Sequence, residues 1–529
     1  MVPWAELVPG FNAWCKACSA AKPAALIVAA LTVLGVLVGL FFRARGYLFD
    51  DSAFWLDECV WAMNLTTRDL LQNQIRPPGF ILVSRWLALL LGPTEAVLRF
   101  LPWLASVAAV VASPFLARRL YGSSASRLFF VATIALNACV IDFAKEFKPY
   151  SIGFMLHLVL PWLALRYVDK KSPRALAVTL GVAALGCLFS QDLVFTYPGV
   201  FLVLGIEALE NRRVHLRFIV LVAAVIIAAL LAQYLLMWRH MPKGGSNYWG
   251  AKYNVFYTSE HKTSYLSWFF ERYRDMTGFP GIRRDHMDGG THAERERFRV
   301  FDRWLWLALH VGGLVVIAAM RRWREALLLV LPIVLVCLLN RVGIWPIGAF
   351  RSDIFVIVHF SAIAAMAFDG FARDRARWFS ALPALAFLVL PLVYFERVWH
   401  DRKQYLAYDS NFPQILRRLS TRQPVDDHLL PLILDRRSCE PWRFFTQFHP
   451  KTRDLKPRLD ARFATRCLKD DNDMREELIA TGTEERPEWV VLHTGHRLDR
   501  LLRQRQLSTL KVITRWEIGP HSVVALRHD

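Results

Sequence analysis

The sequence predicts a mainly α-helical protein that crosses a membrane many times and ends in a small α/β domain. Of its 529 residues, 54% are hydrophobic and 21% are charged, and the mean hydropathy is +0.28. Soluble domains seldom have such a composition, and long apolar runs recur along most of the chain. After residue 400 the apolar runs shorten while Pro and charged residues increase. We therefore predict a membrane domain over 1–398 and an α/β domain over 399–529.

A membrane-spanning helix needs about 20 mostly apolar residues, and about eleven segments meet this requirement. The first exceeds the core of a signal peptide and lacks a clear small-x-small cleavage site, so we interpret it as a retained anchor. The predicted spans are 23–42, 95–118, 124–144, 150–168, 174–190, 193–209, 217–238, 303–320, 324–341, 353–370 and 377–396.

Short basic loops predict the orientation of these spans. The loops 118–121, 170–174, 211–217, 321–324 and 373–377 are basic and fall on one side if the spans alternate, which identifies that side as cytoplasmic. The N-terminus is then cytoplasmic, and loops 43–94 and 239–302 and the C-terminal domain are extracytoplasmic. Arg43 and Arg45 oppose this assignment. The apolar segment 77–92 is placed in the first external loop as a juxtamembrane or partly inserted helix, a short span being the alternative.

The net charge of +20 does not indicate nucleic-acid binding. The basic residues lie in short clusters between spans and after residue 400, which is typical of membrane orientation and of contact with anionic lipids. Cys15 and Cys18 form an isolated pair without a second pair at zinc spacing. No metal site or cofactor is predicted, and a divalent metal stays an open alternative. Cys439 and Cys467 form a disulfide only if their region is extracytoplasmic.

Polar groups collect near the span ends on the predicted outer face. A transporter or flippase more often carries such groups at the middle of the bilayer, in broken helices. The pattern instead favours a catalytic or binding cavity that opens outward. The residues concerned are Asp57, Glu58, Asp142, Glu146, Lys148, Asp192 and Arg351.

Four short motifs follow one another in the first third of the chain. They are Asp57-Glu58, Arg76-Pro77-Pro78, 98–102 and 146–150, and a fifth element lies at 345–351. Their order resembles the GT-C glycosyltransferases, in particular bacterial relatives of the dolichyl-phosphate-mannose:protein mannosyltransferases and the lipid A aminoarabinose transferase group. The resemblance covers about residues 24–370. Arg76 and Lys148 replace the usual His or Lys and the usual Arg of the family, so the cations persist but bidentate geometry is lost at Lys148.

The resemblance implies a sugar donor carried on polyprenyl phosphate and a hydroxyl acceptor that attacks C1 with inversion. Such a reaction needs a base at the acceptor and cations at the leaving phosphate. Asp57 is the predicted base, because a carboxylate at a helix start is stabilised as the anion. Glu58 is predicted to orient Asp57 or to bind substrate hydroxyls. The alternative for both residues is the solvated acidic start of a surface helix.

The remaining predicted site residues divide into cations and substrate contacts. Arg76, Lys148 and Arg351 are predicted to bind the donor phosphate, with snorkelling to the membrane surface as the alternative. The predicted substrate contacts are Asp142, Glu146, Tyr150, Tyr248, Trp249 and Tyr253. The last three stack on sugar faces or, alternatively, belong to an interfacial aromatic belt.

Two further features complete the prediction. His157, His310 and His359 lie inside spans without metal-ligand spacing, which favours hydrogen bonds between helices. In the C-terminal domain, strands are predicted at 429–435, 489–493, 510–518 and 522–527, and helices at 440–447 and 497–504.

The sequence therefore predicts an inverting membrane glycosyltransferase, with a bacterial inner membrane as the expected location. Its expected partners are a polyprenyl-phosphate sugar, a glycan, lipid or protein acceptor, and membrane lipids, but no nucleic acid. The alternatives are a flippase of a lipid-linked sugar and a non-catalytic envelope assembly protein of the same fold.

Overall fold

A computed structural model describes the chain over most of the predicted spans and part of the C-terminal region. The described residues are 23–48, 56–65, 77–211, 213–238, 256–257, 264–277, 292–347, 353–371, 412–421, 429–468, 488–493, 510–518 and 521–528. They form two compact units. The first comprises 1–45, 102–145 and 149–398, and the second comprises 46–101, 146–148 and 399–529. Residues of the predicted first external loop thus group with the C-terminal region.

Fifteen α-helices precede residue 372 in the described part of the chain. They are α1 (Pro23–Leu48), α2 (Leu56–Asn64), α3 (Pro78–Leu91), α4 (Glu95–Leu120), α5 (Ser124–Leu136), α6 (Ala138–Phe143), α7 (Tyr150–Lys170), α8 (Pro173–Gly186), α9 (Tyr197–Asn211), α10 (Arg213–Gln233), α11 (Tyr265–Thr277), α12 (His292–Ala319), α13 (Trp323–Leu329), α14 (Leu331–Arg341) and α15 (Val356–Phe371). The predicted mainly helical fold is confirmed.

Four described helices are long and apolar enough to cross a membrane: Ile27–Arg45, Glu95–Leu120, Tyr150–Lys170 and His215–Leu236. The pair α13 and α14 makes a fifth if its 40° bend lies within one span. Pro332 is the second residue of α14, and proline at a helix start removes a hydrogen bond that a continuous helix would need. The chain is an integral membrane protein, and the number of about eleven spans stays a prediction.

The predicted span 124–144 is two helices. Ser123 caps α5 by accepting a hydrogen bond from the amide of Ser126 at 3.1 Å. Asn137 then accepts from the amide of Val140 at 3.1 Å and so begins α6. An Asn side chain competes for amides that a continuous helix would bond to its own carbonyls, which explains the break.

Arg43 is part of the packed helical core and not of a loop. The helix that contains it continues to Leu48, and its side chain is fully buried. The guanidinium donates to Ser106 Oγ at 2.7 Å and to the carbonyls of Gly39 at 2.9 Å and Ala135 at 2.6 Å. Arg43 therefore carries no orientation signal, because its charge is held by the end of a neighbouring helix.

The second unit contains one mixed five-stranded sheet. Its strands are β1 (Leu430–Leu434), β2 (Phe463–Cys467), β3 (Glu488–His493), β4 (Leu510–Ile518) and β5 (His521–His528), in the order β2-β1-β3-β5-β4. β1 pairs in parallel with β2 and β3, and β5 pairs antiparallel with β3 and β4. The predicted strands 429–435, 489–493, 510–518 and 522–527 are confirmed.

Three helices accompany this sheet: α16 (Phe412–Ser420), α17 (Arg436–Gln447) and α18 (Lys456–Asp460). The helix predicted at 440–447 begins four residues earlier, because Asp435 caps it by accepting from the amide of Ser438 at 2.8 Å. β2 lacks a regular apolar alternation and was not predicted. The helix predicted at 497–504 lies outside the described residues.

Cys439 and Cys467 form a disulfide that joins α17 to β2, across 28 residues of sequence. Closing a loop of this length restricts the unfolded chain and is worth about 3.5 kcal/mol. We expect a phosphine reductant to lower the midpoint of thermal unfolding of the purified protein by several degrees. The Cys439→Ser/Cys467→Ser variant serves as control, since its midpoint should not respond to the reductant. An identical midpoint before and after reduction would mean that the bridge adds no stability.

Candidate functional site

The buried carboxylate of Glu58 is the centre of a polar cluster within the second unit. It lies on α2, whose apolar residues face the core of the unit, where Cys59 and Ala62 are buried. The Glu58 side chain is fully buried, and burying a charge in this way is costly unless it is paired and hydrogen-bonded. The partners of Glu58 therefore define the cluster.

Arg99, near the start of α4, binds Glu58 through two of its guanidinium nitrogens. Nε donates to Oε1 at 2.9 Å and Nη2 donates to Oε2 at 2.7 Å. This bidentate geometry is the strongest arrangement available to an arginine and a carboxylate, and it fixes the orientation of both side chains. The Arg99 side chain is itself 9% exposed, so water screens the pair little.

The backbone amide of Phe147 supplies a third hydrogen bond to Glu58. It donates to Glu58 Oε1 at 2.7 Å. Arg99 and Phe147, which lie 41 and 89 positions from Glu58 in the sequence, thus meet at one carboxylate. Three of the motifs that the sequence singled out, at 57–58, 98–102 and 146–150, are joined by these bonds.

Lys148 follows in the same segment and lies over an aromatic ring. Lys148 is 3% exposed, and its Nζ lies 4.3 Å from the centroid of the Trp61 ring. The ring of Trp61 contacts Phe80 and Phe147 edge to face, at 5.9 and 6.3 Å between centroids. A lysine held by a ring face keeps its charge at a defined position, where it can meet an anion.

The other predicted site residues are distributed as follows. Asp57 is the second residue of α2 and Asp142 lies in α6, but their side chains are outside the described part of the structure. Glu146 is partly buried, and its carbonyl accepts from the amide of Lys148 at 2.7 Å. Tyr150 begins α7 in the first unit, where its ring meets Phe143 edge to face at 5.4 Å. Arg76, Tyr248, Trp249, Tyr253 and Arg351 lie outside the described residues.

Arg99 was missed as a site residue, although its motif was recognised. The signal was its position, because a cation near the start of an apolar span needs an acidic partner when it faces protein. Glu95 and His449 were also missed. They form a second contact of the cluster, with 2.9 Å between His449 Nε2 and Glu95 Oε2.

The three membrane histidines form the hydrogen bonds between helices that were predicted for them. In the first unit, His157 Nδ1 lies 3.0 Å from His359 Nε2 and 2.6 Å from Thr196 Oγ1. His157 Nε2 lies 3.5 Å from Asp192 Oδ1, which gives Asp192 a structural partner. The third histidine, His310, bonds through Nε2 to the carbonyl of Phe360 at 2.9 Å.

The order of these motifs and the helical fold around them resemble those of the GT-C membrane glycosyltransferases. The family model described as dolichyl-phosphate-mannose-protein mannosyltransferase matches residues 75–238. This segment includes Arg99 and the stretch 146–150. The match and the fold together confirm the resemblance inferred from the motifs.

One solved structure that resembles this chain is that of ArnT from Cupriavidus metallidurans. Its apo structure matches with a TM-score of 0.50 and 14% identity, over 95% of this chain and 98% of ArnT. ArnT bound to undecaprenyl phosphate matches with a TM-score of 0.49 and 14% identity, over 96% and 98%. At this identity the likeness establishes the fold. No curated protein sequence matches the chain.

Proposed function

We propose that the protein is an inverting glycosyltransferase that moves a sugar from a polyprenyl-phosphate carrier to a hydroxyl group. The acceptor is a cell-envelope glycan, lipid or protein on the outer face of a bacterial inner membrane. The observation that carries this proposal is the meeting of three family motifs at the buried carboxylate of Glu58. The family model and the fold of ArnT support the same class of reaction.

In the proposed reaction the acceptor oxygen attacks C1 of the sugar, and the bond from C1 to the phosphate oxygen breaks. The hydroxyl proton passes to Asp57, and the bonding electron pair leaves with the polyprenyl phosphate. Asp57 is proposed for this role because the start of a helix stabilises a carboxylate as the anion, the form that accepts a proton. Glu58 cannot easily share the role, since Arg99 and the Phe147 amide hold its carboxylate. We assign Glu58 to positioning Asp57.

The leaving phosphate requires positive charge, and Lys148 is the described cation best placed to supply it. Its ammonium group is fixed over Trp61 in the segment that also binds Glu58. A preorganised cation stabilises the charge that develops on the leaving oxygen without reorganising solvent. Arg76 and Arg351 are proposed to contribute further charge, and Asp142, Glu146, Tyr150, Tyr248, Trp249 and Tyr253 are proposed to contact the sugar or the acceptor.

The disulfide supports the extracytoplasmic location of the C-terminal domain, since such bonds form and persist in oxidising compartments. With the α/β domain outside, residues 46–101, which group with it in one compact unit, belong to the same side. The proposed domain boundary remains 398/399, and the proposed N-terminus is cytoplasmic.

Transfer from defined donors tests the proposed function. The purified protein in liposomes is given a panel of radiolabelled polyprenyl-phosphate sugars together with an acceptor extract from bacterial membranes. We expect label to appear in the acceptor fraction with at least one donor. A flippase would instead move the intact donor across the bilayer, which is measured by its accessibility to periodate. A protein that neither transfers nor translocates any donor would favour the assembly-protein alternative.

Replacing Lys148 tests the phosphate site. We expect Lys148→Met to lower kcat/KM for the donor by about 10- to 100-fold, the range of a lost charge-assisted hydrogen bond, while Lys148→Arg keeps most of the activity. Steady-state kinetics with varied donor concentration measure this effect. The control is Lys456→Met, which removes an exposed lysine paired with the exposed carboxylate of Asp460. Equal kinetics of Lys148→Met and the wild type would exclude Lys148 from donor binding.

A further inference from the structure

His449 links the C-terminal domain to the helix that carries Arg99. The residue follows α17 and is buried, with its ring centroid 5.9 Å from Phe444 and 5.1 Å from Phe445. Thr452 Oγ1 lies 3.3 Å from Nδ1 and Glu95 Oε2 lies 2.9 Å from Nε2. Both ring nitrogens are therefore engaged, and the imidazole has one defined orientation toward Glu95.

Glu95 continues this connection toward the acidic pair. It is the first residue of α4 and lies one helical turn before Arg99, so that the two opposite charges share a helix face. Arg99 in turn binds Glu58 on α2. A row of polar side chains thus runs from His449 through Glu95 and Arg99 to Glu58, the residue next to Asp57.

Further contacts join the C-terminal domain to α2 and to the start of α4. α17 packs directly against α2, and the disulfide of Cys439 ties α17 to β2. In addition, the loop between α3 and α4 approaches Pro450, since a Cβ atom on Gly92 would lie 3.5 Å from Pro450 Cγ. Gly92 has a φ of +84°, which a residue with a side chain rarely adopts. Helix α2, here called the acidic-pair helix because it carries Asp57 and Glu58, and the start of α4 are therefore both in contact with the C-terminal domain.

We propose that His449 and Glu95 are positioning residues of the transfer site, through which the C-terminal domain holds the acidic-pair helix in its active orientation. This rests on the proposed function. The C-terminal domain then contributes to catalysis by orienting α2, in addition to acceptor binding. A displacement of about 1 Å at reacting groups can lower a rate about 100-fold, so even a small shift of α2 matters.

The test uses the full-length protein and two independent readouts. Hydrogen exchange of residues 56–64, measured by mass spectrometry, reports the order of α2, and steady-state kinetics report transfer. We expect His449→Ala to accelerate exchange in this helix and to lower kcat by about 10- to 100-fold with an unchanged KM for the donor. His449→Gln retains an amide donor for Glu95 and should restore most of both properties. Glu95→Gln should have a smaller effect in the His449→Ala background than in the wild type, because the two residues share one contact.

The control is Glu440→Gln, which breaks an exposed ion pair with Arg443 on the same helix, at 3.3 Å. Exchange in α2 that is the same in His449→Ala as in this control overturns the proposal. So does a kcat that stays at the wild-type value in an active enzyme. If the wild type transfers no sugar, the proposed function fails, and the exchange data still decide whether His449 orders α2.

Discussion

Replacement of Asp57 by Asn is expected to lower sugar transfer by about 10²- to 10⁴-fold, the usual contribution of a general base. Asn preserves the size of the side chain and its place near the start of α2, but it cannot accept the hydroxyl proton. The acceptor oxygen would then attack while still carrying its proton, which raises the barrier. The KM for the donor should change little, because the leaving phosphate is held by cations and not by Asp57. Transfer of label from a polyprenyl-phosphate sugar measures the loss.

The comparison for this variant is Asp460→Asn, which makes the same chemical change at an exposed carboxylate paired with Lys456. We expect this control to transfer sugar at the wild-type rate. Both variants should unfold at the same temperature as the wild type, so that a loss of activity is not a loss of fold. Undiminished transfer by Asp57→Asn would remove Asp57 as the base and leave the reaction without one among the predicted residues.

Removal of Arg99 is expected to have the largest effect on stability. Arg99→Leu leaves the fully buried carboxylate of Glu58 with the Phe147 amide as the remaining one of the two partners described above. Breaking a buried ion pair from one side costs about 3–5 kcal/mol, because the desolvated charge stays behind. Thermal unfolding in detergent should show a midpoint lower by many degrees, and transfer should fall with it.

A second replacement separates the unpaired charge from the lost contact. In Glu58→Gln/Arg99→Leu the buried charge is gone and the amide oxygen of Gln still accepts from Phe147. We expect the double variant to be more stable than Arg99→Leu alone, with a coupling energy of about 0.5–3 kcal/mol. Transfer should stay low, because the bidentate ion pair that joins Arg99 to Glu58 on α2 is missing. A double variant that is destabilised by the sum of the single effects would contradict the buried pair.

The surface offers a matched control. Arg119 binds Asp169 with the same bidentate geometry, at 2.6 and 2.8 Å, but the two side chains are 31% and 45% exposed. Exposed pairs of this kind contribute about 0–1 kcal/mol, since water already solvates both charges. Arg119→Leu should therefore barely move the unfolding midpoint.

Local features of the sequence were sufficient for much of the fold. Apolar length predicted helices over the spans, and Gly-Pro-His between two β-branched runs predicted the pairing of β4 with β5. Strand β2 was missed because its exposed, charged residues lack an apolar pattern, and it exists through its pairing with β1. The break at Asn137 was also missed, because one polar residue in an apolar run changes the mean hydropathy little while it offers a complete helix cap.

The candidate site was predicted by residue type but not by partner. Motif order brought Asp57, Glu58 and Lys148 into one list of candidates, and the structure joins Glu58 to the segment that contains Lys148. The role of Glu58 became clear only from Arg99, which occupies both of its oxygens. The contacts of His157 with His359 and of His310 with Phe360 likewise join helices that are distant in sequence. The same is true of the bond from Arg43 to the carbonyl of Ala135.

By itself the sequence determined which segments are apolar enough for a membrane, where four of the five described strands form, and which residues carry charge. These properties depend on neighbours within a few residues, and local composition records them. Only the tertiary structure decided that Glu58 is bound by Arg99 and Phe147, that Cys439 bonds Cys467, and that His449 reaches Glu95. Such pairings join parts of the chain that are far apart in sequence. They arise because a buried charge or thiol must find its partner within the packed fold, and no local pattern specifies which partner that is.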